Sequence, residues 1–225
     1  MSKIIAIMFL LCCGMMLFGC ADDNGRRKAE QQKTIVVTDS VGRKVELPYP
    51  LERVAVCNVY NAELITAVGA IDKIVGVDNY IFKDQSGFKN RFNETQVFGI
   101  SQNAMNYEKL AELSPQAVII TGEGTWRDAQ EMLDRFGIKV IVINSYYTDQ
   151  FADNCRLIGR IFGREEQAEE LVNYFNDKLA YIQKQLQGVP RRSLYFEYRT
   201  LGKTAVPGDY FYKMVEYSGA DNIFA

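Results

Sequence analysis

Between Arg53 and Asn144 the chain carries five short apolar runs: Arg53–Cys57, Lys73–Val77, Val97–Gly99, Ala117–Thr121 and Lys139–Asn144. They are apolar almost throughout rather than alternating, which is the pattern of strands buried on both faces. Four of them lead into segments with helical spacing. These are Ala62–Val68 closed by Gly69, Tyr107–Leu113 stopped by Ser114 and Pro115, Arg127–Phe136 closed by Gly137, and Asp149–Phe162. Lys73–Val77 instead exits through Asp78, Asn79 and Tyr80 into a polar loop bearing Phe82, Phe88 and Phe92. Strands and helices in alternation define an α/β chain with a mostly parallel sheet covered on both faces. Ahead of it, Thr34–Pro48 reads as a hairpin: Ile35 and Val37 alternate with polar residues, Ser40–Arg43 turns, and Val45 and Leu47 alternate again.

The longest uninterrupted helical pattern follows, from Arg164 to Gln187, with no Gly or Pro inside. Ala168, Leu171, Val172, Phe175, Leu179, Ile182 and Leu186 draw one apolar stripe along it. Four glutamates open it and Lys178 and Lys184 come late, an order that suits the helix dipole. Gly163 precedes it and Gly188-Val189-Pro190 ends it. At about 1.5 Å per residue it spans roughly 36 Å, the width of a small domain. It reads either as a strut between two lobes or as an ordinary surface helix of one domain.

Totals narrow the chemistry. The 225 residues carry a net charge of −2 and offer no basic excess for nucleic acid. There is no histidine, which removes Ser-His-Asp and Cys-His catalysis and every His-ligated metal or haem. Cys57 and Cys155 are the two cysteines outside the first twenty residues; they read as buried thiols, with a disulfide in an oxidising compartment as the alternative. Residues 1–19 have a short positive start and an apolar run from Ile4 to Phe18, short for a membrane span and suited to a signal peptide. Leu17-Phe18-Gly19-Cys20 is similar to a bacterial lipobox, with Phe18 larger than usual, and makes Cys20 the expected lipidation site. Residues 20–33 are expected to be a flexible tether. An uncleaved N-terminal anchor is the other reading; both place the folded part outside the cytoplasm at a membrane.

Ligands of parallel sheets bind beyond the carboxyl ends of the strands. Those ends carry Tyr60, Tyr80, Trp126, Arg127, Tyr146 and Tyr147, a set that suits a large, flat, partly anionic ligand. Gly122-Glu123-Gly124-Thr125-Trp126-Arg127 follows a strand and precedes a helix, as a dinucleotide fingerprint does. However, Arg127 stands where the third glycine belongs, and the motif lies on the fourth strand rather than the first.

From Thr34 to Ala225 the pattern resembles the substrate-binding proteins of bacterial ABC importers for iron–siderophore complexes and cobalamin. The resemblance rests on TIVVTDSVGRKVELPYPLERVAV as the opening hairpin and strand, and on Ala62–Ala70 with Lys73–Val77 as the first helix and second strand. Asn106-Tyr107-Glu108 with Leu113–Ile119 is similar to an N-x-E … L-x-P-D segment, with Gln116 in place of Asp. The long helix is similar to the family's backbone helix, and Tyr217–Phe224, YSGADNIF, to a G-G-x-N-I-F stretch.

The resemblance implies a Rossmann-like first lobe over residues 34–163, a rigid backbone helix over 164–187 and the start of a second lobe over 191–225. In that second lobe Ser193–Tyr198 is expected as a strand and Tyr210–Tyr217 as a helix, with more of the lobe expected beyond Ala225. Tyr198 and Arg199 would face the cleft, Arg199 pairing a ligand carboxylate or catecholate. With the second lobe so short, the chain is expected to bind ligand weakly. Glu63 falls where the family's first-lobe docking glutamate sits, although it also suits the first turn of a helix. The implied role is ligand capture without catalysis by a lipid-anchored extracytoplasmic monomer that delivers cargo to an ABC permease and its ATPase. The cargo would be a metal chelate, an iron–siderophore ahead of cobalamin, with haem through a tyrosine as a further alternative; no cofactor and no metal ligand of the protein's own is implied. A nucleotide-dependent enzyme and a sensory lobe without transport are the competing classes. An enzyme would have to draw its general base from carboxylates, Tyr, Lys or Cys.

Overall fold

The computed structural model of the chain describes residues 33–198 and 200–224. The expected signal peptide, Cys20, nearly all of the tether and Arg199 lie outside the described residues. The chain opens with an antiparallel hairpin, β1 (Thr34–Thr38) and β2 (Lys44–Pro48). Its turn is fastened by one carboxylate. Asp39 Oδ1 accepts from the Val41 and Arg43 backbone N–H groups at 3.2 and 2.9 Å. Asp39 Oδ2 accepts from Arg43 Nε and Nη2 at 3.0 and 2.6 Å and from Val142 N at 3.3 Å. Ser40 N donates to Val142 O at 2.9 Å and Arg43 Nη2 to Val140 O at 3.1 Å.

Val142 and Val140 belong to β7 (Lys139–Val142), the last strand of the main sheet. That sheet also contains β3 (Val54–Val56), β4 (Ile74–Asp78), β5 (Val97–Gly99) and β6 (Ala117–Ile120), all parallel, in the order β5-β4-β3-β6-β7. The hairpin turn therefore covers the β7 edge. At the opposite edge Asn106 N donates to Phe98 O at 2.8 Å and Ile100 N to Ala104 O at 3.1 Å. Both edges are thus kept from pairing with another chain.

The alternation of side chains splits the core into two layers. Val54, Val56, Ile74, Val77, Ala117, Ile119 and Ile141 pack on one face beneath α1 (Val59–Ala67) and α5 (Phe151–Phe162). Ala55, Val118, Ile120, Val140 and Val142 pack on the other, beneath α3 (Tyr107–Glu112) and α4 (Trp126–Asp134). The parallel, doubly covered sheet expected from the sequence is present. Cys57 lies in the second layer and Cys155 in the first, and both are free and buried. The sheet between them rules out the disulfide alternative.

Local chemistry moves some boundaries. The first helix starts at Val59 rather than Ala62, because Asn58 caps it by accepting from Tyr60 N at 2.9 Å. The segment read as an exit loop is a short helix, α2 (Asn79–Lys83), capped by Asp78. Phe88 of the polar loop is buried, with Phe82 and Phe92 packed against the same core.

The long helix is α6 (Glu165–Gln185), 21 residues. Gly163 at φ +63° ends α5 and turns the chain into it. The first half of its apolar stripe packs against the first block. Ala168 and Val172 are buried, and the Phe175 ring lies 4.3 Å from that of Phe151 on α5. Further along, Ile182 is 40% exposed, because α5 runs out beneath it. Leu186 is met instead by the next block, where Gly219 packs against its side chain.

That block is a strand–helix–strand: β8 (Arg192–Leu194), α7 (Tyr210–Tyr217) and β9 (Ala220–Asn222), with β8 and β9 parallel. The strand expected over Ser193–Tyr198 stops at Leu194. Beyond it the chain doubles back, with Glu197 bridging antiparallel to Thr204. The second strand, β9, has no sequence signal. Ala-Asp-Asn is poor strand sequence, and pairing with β8 alone makes it one.

Candidate functional site

The sheet order reverses at β3, with β4 on one side and β6 on the other, so the crevice opens at the carboxyl ends of β3 and β6. A belt of hydrogen bonds ties those ends together. Asn58 sits at φ +75°, a region non-glycine residues enter at a cost of about 1–3 kcal/mol. Its N–H donates to Asp78 Oδ2 at 3.1 Å, while Asp78 Oδ1 accepts from Ile81 N at 2.9 Å. The buried Asn61 donates to Cys57 O at 3.2 Å and accepts from Ser145 Oγ at 2.6 Å. Asn144 Oδ1 accepts from Gly122 N at 2.7 Å, and Asn144 O from the buried Asn154 side chain at 3.0 Å. Gln102 Oε1 accepts from Thr121 N at 3.0 Å. All five strands thereby hold their exits in fixed positions.

Asp78 is the charged member of this belt. Burial raises its carboxyl above the ordinary value of 3.8, partly offset by backbone N–H groups of Ile81, Asn58 and Tyr80. The folded state therefore holds this proton more tightly than the unfolded chain. Its contribution to stability falls as pH rises from about 3.8 through the raised value and stays lost at neutral pH. Asp84 and Glu169 are held low, by the Gly87 N–H and by Arg156 respectively, and act only below about pH 4.5. Urea midpoints of the wild type and Asp78→Asn, compared between about pH 4.5 and 7, should diverge with the wild type falling more steeply. Parallel profiles would remove Asp78 as the cause.

Above the belt stand the aromatic rings. Tyr146 and Tyr147 lie 4.7 Å apart, and Tyr146 meets Tyr210 edge-on at 5.5 Å. Tyr210 is perpendicular to Tyr198 at 6.1 Å and its hydroxyl hydrogen-bonds that of Tyr198 at 2.7 Å. Tyr60, 48% exposed, is near enough to help hold the Tyr210 proton, behind the larger effects of burial and of Tyr198. Burial and then Glu123 raise Tyr146 strongly. Beside these rings is a cavity of about 350 Å³ lined by Asn144, Tyr147, Asp149, Asp209, Tyr212 and Lys213 among others. It lies between the exit of β7 and the start of α7.

The structure thus gathers Tyr146, Tyr147 and Tyr198 with Tyr210, while Tyr60 makes no ring contact among the described residues. Trp126 and Arg127 form a separate stack: Arg43 lies 4.3 Å over the indole and Arg127 4.1 Å over it, two guanidinium groups on one ring. Trp126 is therefore already engaged by cations. Tyr80 is 63% exposed and makes no ring contact among the described residues. Sequence reasoning missed Tyr210, Asn61, Asn144 and Ser145 as site residues. Tyr210 had a signal, since Gly208-Asp209 places an aromatic run at a capped helix start; the others had none. The Gly122–Trp126 loop is plugged from the side: Gln102 Nε2 donates to Glu123 O, and Asn103 occupies the space beside Gly124. Glu63 is exposed on α1, with its carboxyl raised by partial desolvation and then by Asp84, and makes no ion pair among the described residues.

A parallel sheet with its crevice at the strand order reversal, one long helix and a following strand–helix–strand together define an α/β ligand-binding architecture. The chain belongs to the periplasmic binding protein family, whose profile matches residues 54–225. It is 23% identical over 190 residues to the uncharacterized ABC transporter substrate-binding lipoprotein YvrC of Bacillus subtilis, covering 81% of this chain and 58% of that protein. The solved structure of the Haemophilus influenzae molybdate-binding protein MolA with molybdate superposes with a TM-score of 0.67 at 23% identity, over 85% of this chain and 66% of that one. Staphylococcus aureus SirA complexed with staphyloferrin B superposes with a TM-score of 0.65 at 19% identity, over 84% and 65%. These two show the fold. The chain spans 58–66% of the length of these relatives. Among the described residues no helix is long and apolar enough to cross a membrane.

Proposed function

We propose that this chain is the solute-binding component of an ABC importer, capturing a metal chelate and handing it unaltered to a permease and its ATPase. The observation that carries this reading is the tyrosine cluster beyond the carboxyl end of β7, where rings from the first block meet rings from the second. Four phenols and their ring faces suit the organic surface of a chelator. An iron–siderophore is the favoured cargo, with cobalamin or haem as the alternative in the same role. Arg127 and Arg199 supply cations for an anionic chelate, and Cys20 carries the lipid that holds the protein outside the cytoplasmic membrane.

Fluorescence titration of the purified chain against a ferric siderophore panel, cyanocobalamin, haemin, molybdate and ATP tests this. Binding confined to chelates, weakened by Tyr146→Ala, is the expected result; binding of ATP alone would overturn the reading. Glu63 is our candidate for permease docking by the family resemblance, and it is exposed on α1 with no ion pair among the described residues. Glu63→Ala should depress uptake in cells while leaving ligand affinity unchanged, and wild-type uptake by that variant would remove the role.

A further inference from the structure

We propose that Ser40 and Asn154 are positioning residues for cargo capture: they hold Asn144, and through it Tyr146 and Tyr147, in place at the wall of the crevice. This deepens the solute-binding reading above and rests on it. β7 is an edge strand of its sheet. Its ladder ends where Ile143 N donates to Ile120 O at 2.8 Å. The exit that carries two of the tyrosines is therefore fixed by side chains from elsewhere.

Three bonds close a ring on Asn144. Its N–H donates to Ser40 Oγ at 3.1 Å, Ser40 Oγ donates to Asn154 Oδ1 at 3.2 Å, and Asn154 Nδ2 donates to Asn144 O at 3.0 Å. Each direction is forced. A backbone N–H can only donate, so the Ser40 hydroxyl sends its own hydrogen onward; a carbonyl can only accept, so the NH₂ of Asn154 faces it. Both backbone polar groups of Asn144 are thereby gripped, one from the hairpin turn and one from α5, where Asn154 is buried.

Asn144 in turn carries the rim. Asn144 O also accepts from Tyr147 N at 3.2 Å. Its Oδ1 accepts from Gly122 N at 2.7 Å and is met by the Tyr146 hydroxyl at 3.5 Å, the outer limit of a hydrogen bond. A Cβ at Gly122 would stand 3.2 Å from Asn144 Oδ1 and Nδ2 and 3.3 Å from Val41 Cγ1, so the β6 exit, the β7 exit and the hairpin turn are packed at one point. Asn144 also lines the cavity of about 350 Å³, and Tyr146 meets Tyr210 of the second block. Losing either member of the ring frees Asn144 on one side, and the tyrosines beyond it gain other positions. Order built into the folded chain is not lost again at binding, so Ser40 and Asn154 raise affinity by acting through Asn144.

The test is fluorine nuclear magnetic resonance of the full chain labelled with fluorotyrosine, the Tyr146 signal being identified by its loss in Tyr146→Phe. In Ser40→Ala and Asn154→Ala that signal should shift or broaden, and Ser40→Thr, which keeps the hydroxyl, should return it to the wild-type position. Urea unfolding separates this from lost stability, which lowers the midpoint without moving a signal of the folded state. Titrated with a ferric tris-catecholate, both alanine variants should bind roughly five- to tenfold more weakly than the wild type. A Tyr146 signal unmoved in the folded alanine variants, a Ser40→Thr signal displaced as far as that of Ser40→Ala, or a moved signal with unchanged affinity overturns the proposal. If Asn154→Ala does not fold, Ser40→Ala, at a half-buried position, decides alone. Failure of the wild type to bind the tris-catecholate would count against that cargo in the solute-binding reading, and the Tyr146 signal would still decide whether the ring positions the rim.

Discussion

Asp39→Ala is expected to lower the stability of the chain by about 3–5 kcal/mol, the range for removing one partner of a buried, hydrogen-bonded ion pair. The Asp39 side chain is fully buried and that of Arg43 is 21% exposed. One carboxylate serves five donors, three of them backbone N–H groups. Alanine leaves those N–H groups and a guanidinium without their acceptor, and each orphaned donor carries its own desolvation cost. The damage extends beyond the hairpin. Val142 N loses its bond, which loosens the cover over the β7 edge. Arg43 is also one of the two cations on the Trp126 ring, so the position of Arg127 at the rim loosens with it. The urea midpoint should fall with little change in slope. A loss below about 1 kcal/mol would mean that water satisfies the turn and that the latch is ornamental.

Gly159→Leu is expected to cost about 3 kcal/mol, the upper end of ordinary overpacking in a filled core. A Cβ at Gly159 would stand 2.5 Å from Ala168 Cβ and 2.9 Å from Arg164 O. The first is a neighbouring helix's side chain and the second is backbone, so neither can swing aside. The long helix would have to lift off α5, and its lifted half is the part that fastens it to the first block. Alanine at the same place gains about 1 kcal/mol of helix propensity but meets the same contact. A double-mutant cycle separates the two effects: Gly159→Ala with Ala168→Gly should recover much of what Gly159→Ala alone loses. Strict additivity of the two changes would show that α5 and α6 do not meet there as described.

Much of the first block was legible because its signals are local. Short apolar runs bounded by Gly and Pro mark strands whatever they pack against, and the glycines at 69, 137 and 163 sit at positive φ where helices end. The candidate site was legible only as a set of rim positions. Tyr60, Tyr146, Tyr147 and Tyr198 could be placed at chain exits, but which rings meet depends on strand order. Nothing in spacing says that β6 lies beside β3 while β5 lies two strands away on the other side. Trp126 shows the limit: its rim position was readable, whereas its capture by Arg43 arises from a hairpin 83 residues earlier that lands on β7.

What the amino-acid order determined alone is the alternation of buried strand and amphipathic helix, the long helix, and the absence of histidine chemistry. Each is a property of residue type and period, acting within one or two turns of chain. Tertiary structure decided the pairing of Tyr198 with Tyr210, the division of the long helix into a buried half and a half met by the second block, and the existence of β9. Those outcomes are set by which surfaces are left to cover one another once the sheet has closed, and contacts between residues far apart in sequence leave no mark on the local pattern.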